Sequence, residues 1–194
     1  GNSYLLLDAP NLLKSTAPAT KITNTCKASG EMSFEIWLEN SETVVERAGE
    51  DLQKRPEPLR ILNLSRAAQS VNGTENLFQR NFVFGQFYDG GNLYQAAVRT
   101  NGNEANGNDG ASLVEPLQST VPQTIVPDPV TGRVNPMLQK VVFTVGPSGV
   151  ARLYLSDLNG NMFPAQEVTR GFGNATTAAA FFSNWFADAY LSVG

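Results

Sequence analysis

Gln139-Lys140-Val141-Val142-Phe143-Thr144-Val145, then Gly146-Pro147-Ser148-Gly149, then Val150-Ala151-Arg152-Leu153-Tyr154-Leu155-Ser156 is the stretch that decides the fold. The first run reads as a strand, and the Gly/Pro/Ser/Gly tetrapeptide is turn chemistry. In the last run Ala151, Leu153 and Leu155 fall on one face, the period of two that marks a strand. The whole reads as an antiparallel hairpin.

The same alternation recurs outward from this hairpin. In Met32 to Glu39, the residues Met32, Phe34, Ile36 and Leu38 share one face. Ser33, Glu35, Trp37 and Glu39 share the other, so the segment reads as a half-buried strand. Leu59 to Ser65 carries Leu62 and Leu64 on one face, and Asn81 to Phe87 carries Phe82 and Phe84 on one face. Leu93 to Thr100 follows across Asp89-Gly90-Gly91-Asn92, a turn that makes the two a second hairpin. Tyr190 to Val193 reads as a final strand. Helical signals are few: a turn at Leu77 to Gln79, and Val44 to Lys54, which Arg55-Pro56-Glu57-Pro58 ends and which reads as an inter-strand loop. Many short strands, turn signals between them and little helix predict one all-β domain over residues 1–194, a two-sheet antiparallel sandwich or jelly roll.

Residues 101–136 differ in kind. Asn101 to Gly110 is a Gly/Asn run, and Val121 to Pro136 holds four prolines. Together they predict a long loop, broken by one short strand around Leu113-Val114; connections of this length are commonly functional.

Composition narrows the function classes. Hydrophobic residues are 41% of the 194, enough for a sizeable core. Charged residues are 16%, against roughly 25% in typical globular proteins, so uncharged polar groups must carry the surface, as in many secreted β proteins. The net charge of -4 and the lack of any basic cluster beyond Lys54-Arg55 argue against a nucleic-acid partner. No apolar run reaches the length of a membrane-spanning helix, so no membrane insertion is expected. Gly1-Asn2-Ser3-Tyr4 does not read as a signal peptide, so export would have used a segment absent from this chain. The single cysteine, Cys26, rules out an intrachain disulfide and a cysteine metal cluster, and reads as a small core residue. With no histidine the commonest general base is missing, and any metal would be held by oxygen, which points to calcium.

The order Ser33-Phe34-Glu35-Ile36-Trp37-Leu38, Leu59 to Ser65, Arg80-Asn81-Phe82-Val83-Phe84-Gly85-Gln86, Tyr94 to Thr100 and Val141-Val142-Phe143-Thr144 / Ala151-Arg152-Leu153-Tyr154-Leu155 resembles bacterial laminin-G-like domains of the concanavalin A-like lectin/glucanase superfamily. The resemblance covers about residues 30 to 194. It implies a two-sheet jelly roll that binds sugars, proteins or surfaces, often with a calcium ion at the sandwich rim. It also implies a strand before the region of Tyr4 to Leu7 and another after Tyr190 to Val193, which this sequence does not show. Two expectations follow: the chain is a fragment of a longer protein, or a neighbouring chain supplies the strands. The fragment is preferred, because an uncovered edge is a costly liability.

Glucanases of the superfamily use paired carboxylates on one strand face. Glu35 and Glu39 share a face, but at roughly 3.3 Å per residue they lie about 13 Å apart. That exceeds the roughly 5–5.5 Å of retaining and the roughly 6.5–9.5 Å of inverting glycosidases, so an ordinary strand with Trp37 packed is expected. Asp157, Asn159 and Asn161 offer oxygen ligands at alternating positions, with Asp89 as a further rim ligand, and these form the candidate calcium site. A Gly in the fourth place of that run, and no Glu in the twelfth, leave a plain turn as the competing reading. Tyr88, Asn92 and Tyr94 are the candidate ligand-binding residues. Tyr88 and Tyr94, like Trp185 and Tyr190, are rings able to stack on a sugar, and such rings also build sandwich cores. Asn63, Asn72 and Asn174 begin glycosylation acceptor patterns, Asn63 being the poorest since it lies in a strand.

The expected function is a non-catalytic recognition or adhesion module, secreted or on the cell surface, binding carbohydrate or protein with calcium assistance. The alternative is a structural subunit of an extracellular filament or surface layer that self-assembles through edge-strand pairing. A glycoside hydrolase is the weakest expectation, for want of His and of a well-spaced acid pair.

Overall fold

A computed structural model describes residues 13–38, 59–66, 80–88, 92–99, 117–118, 125–127, 134–136, 138–156, 166–168 and 182–193. In chain order the elements are β1 (Leu13–Lys14), α1 (Thr20–Ser29), β2 (Met32–Leu38), β3 (Leu59–Ser65), β4 (Arg80–Tyr88), β5 (Asn92–Val98), β6 (Leu117–Gln118), β7 (Ile125–Pro127), β8 (Val134–Pro136), β9 (Gln139–Val145), β10 (Ala151–Leu155), β11 (Gln166–Val168) and β12 (Tyr190–Val193).

The strands form two antiparallel sheets, one of six in the order β1-β12-β3-β4-β5-β6 and one of four in the order β11-β10-β9-β2, with β7 and β8 as a separate pair. The described residues are all-β with one short helix. The hairpin expected over Gln139 to Ser156 is β9–β10, with Phe143 opposite Leu153 and Val141 opposite Leu155. Its turn closes through the Gly149 N–H donating to Gly146 O at 2.9 Å. Gly149 has a φ of 78°, the left-handed region glycine enters without strain.

Alternation on β2, β9 and β10 sends Phe34, Val141, Phe143, Leu153 and Leu155 inward. On the six-stranded sheet Leu64, Phe82, Phe84, Tyr94, Ala96 and Val98 meet them. The two layers are joined by rings: Phe34 lies 5.3 Å from Phe82, edge-on, and 5.4 Å from Phe84, while Phe82 lies 5.4 Å from Phe143. These separations suit aromatic pairing and seat the core between the sheets.

β4 departs from a sheet with one wet face. Asn81 and Val83 point away from Phe82 and Phe84, yet all four are buried. One cover is the segment 182–189, whose Phe182, Trp185 and Ala189 are buried. The Asn81 side chain donates through Nδ2 to Phe186 O and accepts through Oδ1 from Phe186 N–H, both at 2.8 Å. Trp185 Nε1 donates to Arg99 O at 3.1 Å, and Arg99 Nε donates to Arg80 O at 2.7 Å. The guanidinium carbons of Arg99 and Arg66 lie 4.4 and 4.6 Å from the Phe186 ring centre. Burial pulls the Arg99 guanidinium down to about 10, still charged at neutral pH.

The helix α1 was not expected. Thr20-Lys21-Ile22-Thr23-Asn24-Thr25-Cys26-Lys27-Ala28-Ser29 is rich in residues of modest helix propensity, and its N-cap, Ala19, makes no side-chain cap. Packing holds it instead. Thr23 and Cys26, three apart on one face, are buried, and Ala19 N–H donates to Ala189 O at 2.7 Å. Gly30 ends it at φ 68°, donating to Cys26 O at 2.9 Å. Burial raises the Cys26 thiol, in keeping with the core role expected of it.

Among the described residues, 101–136 hold three short strands, none of them at the expected place. β6 pairs with β5, and β7 with β8. Leu113-Val114 lies outside the described residues, as do Tyr4 to Leu7, Val44 to Lys54 and Leu77 to Gln79. The strand at Tyr190 to Val193 is not an edge: β12 sits between β1 and β3, with Val193 opposite both Leu13 and Leu62.

Candidate functional site

The outer face of the four-stranded sheet carries the best candidate. The residues that alternate with the core ones there are Ser33, Glu35 and Trp37 on β2, Lys140, Val142 and Thr144 on β9, and Arg152 and Tyr154 on β10. Register brings them into cross-strand rows: Trp37 beside Lys140; Glu35 beside Val142 and then Tyr154; Ser33 beside Thr144 and then Arg152. At about 4.8 Å between strands and roughly 3.3 Å per residue the rows make a shallow platform about 10 Å by 13 Å.

Trp37 dominates it. The ring is 53% exposed, although the sequence reading had it packed. It is exposed yet held: Nε1 donates to Glu35 Oε1 at 3.2 Å, Glu35 Oε2 pairs with Lys140 Nζ at 2.9 Å, and that ammonium lies 5.7 Å from the ring centre. The indole spends its one donor within the triad, leaving apolar carbon to offer, while Lys140 and Glu35 set charged hydrogen-bonding groups at its rim. Leu138, also 53% exposed, extends the apolar strip beyond Lys140.

The Lys140 ammonium, together with the Trp37 N–H, holds the Glu35 carboxyl below its ordinary value of 4.5. A depressed carboxylate keeps its partners above the ordinary value and loses them as pH falls through the lowered one. Trp37 is the exposed tryptophan and Trp185, at 2%, the buried one, so acrylamide quenching reports on Trp37. Quenching is expected to hold steady from neutral pH down to 4.5 and to change below it. Glu35→Gln should make the profile flat across that acid range; a change common to both proteins would mean that the triad does not set the ring.

The residues expected to bind ligand fare differently. Tyr94 is 1% exposed and stacks on Phe84 at 5.4 Å, so it belongs to the core and presents no face to a sugar. Burial pushes its hydroxyl well above the ordinary 10.0. Trp185 is core as well, while Tyr190 is half-buried with Lys14 Nζ 4.1 Å from its ring centre. Tyr88 and Asn92 face each other in the β4–β5 register, and their side chains lie outside the described set. Asp89, Asp157, Asn159, Asn161 and Glu39 also lie outside the described residues. Among the described residues no three of His, Cys, Asp and Glu cluster as metal ligands would. No described helix is long and apolar enough to cross a membrane. Asn63, the strand-bound acceptor asparagine, is 1% exposed and so out of reach of a modifying enzyme in the folded chain. Asn72 and Asn174 are outside the described residues.

The signal for Trp37 was in the sequence. Period two placed it with Ser33 and Glu35, opposite four apolar residues, and a tryptophan on the polar face of a strand is the one to ask about. In comparisons with known proteins the chain matches no family model, no curated protein and no solved structure.

Proposed function

We propose that this is a non-catalytic recognition domain that binds carbohydrate on the outer face of the four-stranded sheet, with Trp37 as its stacking residue. The observation that carries the reading is a large ring, 53% exposed yet fixed by Glu35 and Lys140. A pyranose ring has a flat apolar C–H face and a rim of hydroxyls. The indole matches the first by dispersion and removal of apolar area from water. Glu35 accepts from hydroxyls, and Lys140 and Arg152 donate to them. A ring fixed before binding loses little rotamer freedom on binding. The laminin-G-like jelly roll is part of the proposal. It rests on the order of the sequence motifs, and a two-sheet antiparallel arrangement agrees with it. Action outside the cell, on glycans of a surface, fits the low-charge composition.

The test is a glycan screen followed by titration calorimetry on the best binder with wild type and Trp37→Ala. Losing the stacked ring should cost about 1–3 kcal/mol of binding, roughly 5- to 150-fold in Kd, while the core between the sheets is untouched because the ring lies on the outer face. Equal affinity in the two proteins would sink the assignment of Trp37, and absence of any saturable glycan binding would sink the function.

A further inference from the structure

Two of the described residues on the outer face of the four-stranded sheet carry rings, Trp37 on β2 and Tyr154 on β10. Register fixes their separation. Trp37 lies beside Lys140 on β9, Val142 follows two residues along that strand, and Tyr154 lies beside Val142. Tyr154 is therefore two strands across and two residues along from Trp37. At about 4.8 Å per strand and roughly 3.3 Å per residue, their Cα atoms stand about 12 Å apart on the diagonal. The line between them crosses β9 between Lys140 and Val142. Glu35 is paired with Lys140 at 2.9 Å, so the acid and the base beside that line neutralise each other. Val142 and Tyr154 are half-buried, and Trp37 is the exposed end of the diagonal.

We propose that Tyr154 is a second stacking position and that the ligand is an unbranched β-1,4-linked chain of gluco-configured sugars, laid along this diagonal. The inference rests on the carbohydrate reading of Trp37 and deepens it. A single sugar ring cannot cover both side chains across about 12 Å. In a β-1,4-linked chain each ring is turned over by about half a turn relative to the one before. Neighbouring rings thus present opposite faces to a shallow platform, and rings two apart present the same face. The first and third rings then lie on Trp37 and Tyr154 alike, and the second passes over Val142, whose short apolar side chain leaves it room. Gluco-configuration follows from the stacking. Every substituent of such a ring is equatorial, so both faces are flat C–H surfaces that pack on an aromatic ring. An axial hydroxyl would stand between the two. The hydroxyls lie instead at the ring edges, where Lys140 donates and Glu35 accepts.

Titration calorimetry tests this with β-1,4-linked oligomers of glucose and of N-acetylglucosamine, one to four rings long. The α-1,4-linked glucose oligomers, which coil, are the control. In a β-linked series affinity should rise about ten-fold from two rings to three, the gain of stacking one more ring, and little from three to four. Tyr154→Ala should abolish that step and leave the two-ring affinity nearly unchanged. Tyr154→Phe should keep the step, since it keeps the ring. Trp37→Ala should weaken binding at every length. Circular dichroism reports that each variant is folded. A step that is missing from both β-linked series, that survives Tyr154→Ala, or that appears equally with α-linked glucose overturns the proposal and leaves Trp37 as a sugar-binding ring. If no oligomer binds, the proposal falls as well, and the glycan screen with Trp37→Ala decides the carbohydrate reading by itself.

Discussion

Phe82→Ala is expected to lower the free energy of unfolding by about 3–5 kcal/mol, the range for deleting a buried aromatic ring from a close-packed core. Phe82 is fully buried and is one of the rings through which the two sheets touch, edge-on to Phe34 at 5.3 Å and tilted against Phe143 at 5.4 Å. Removing it takes apolar area out of the core, leaves a cavity and breaks two ring pairs. Backbone pairing of β4 with β3 and β5 limits how far the strands can collapse into that space. Urea unfolding followed by circular dichroism measures the loss. Phe82→Leu should cost distinctly less, since most of the volume is kept. A loss below about 1 kcal/mol for alanine would be an ordinary surface effect and would mean that the sheets do not pack through this ring.

Asn81→Ala is expected to be nearly as damaging, for a different reason. The Asn81 amide satisfies both the N–H and the carbonyl of Phe186, each at 2.8 Å, as a neighbouring strand would. Alanine takes the partner from two half-buried backbone groups, whose loss approaches the about 1–3 kcal/mol that each unpaired group costs when fully buried. The segment 182–189 also brings Trp185 onto the core, with Nε1 held by Arg99 O at 3.1 Å. Loosening it should move the buried tryptophan toward water. The variant is therefore expected to show a red-shifted Trp185 emission together with a lower unfolding midpoint. An unshifted emission with wild-type stability would show that Asn81 does not anchor the segment.

Much of the sandwich was legible because period two is a local signal. The alternation in Met32 to Leu38 placed every inward and outward side chain of β2, and the strands at Leu59 to Ser65, Gln139 to Val145 and Tyr190 to Val193 fall where the alternation put them. The helix over Thr20 to Ser29 was illegible for the opposite reason. Its residues carry little intrinsic preference, and its stability comes from packing: Thr23 and Cys26 are buried, and the Thr23 hydroxyl lies 3.4 Å from Ala187 O, in a segment some 160 residues later in the chain. The short strands β6, β7 and β8 were hidden because two or three residues are too few to show a period.

The sequence by itself determined the class of the protein, the faces of its longer strands and which residues share a face. Those follow from side-chain chemistry repeated every second residue. Only the tertiary structure decided which strands are neighbours and which faces meet water. Strand order is set by backbone groups that every residue carries alike, so nothing in Tyr190 to Val193 announces that it sits between Leu13–Lys14 and Leu59–Ser65. Burial in turn depends on what lies over a face. Tyr94 and Trp37 are both aromatic residues in alternating strands. One is sealed between two sheets and the other looks outward, because the second sheet lies over the side of β5 that carries Tyr94 and on the opposite side of β2 from Trp37.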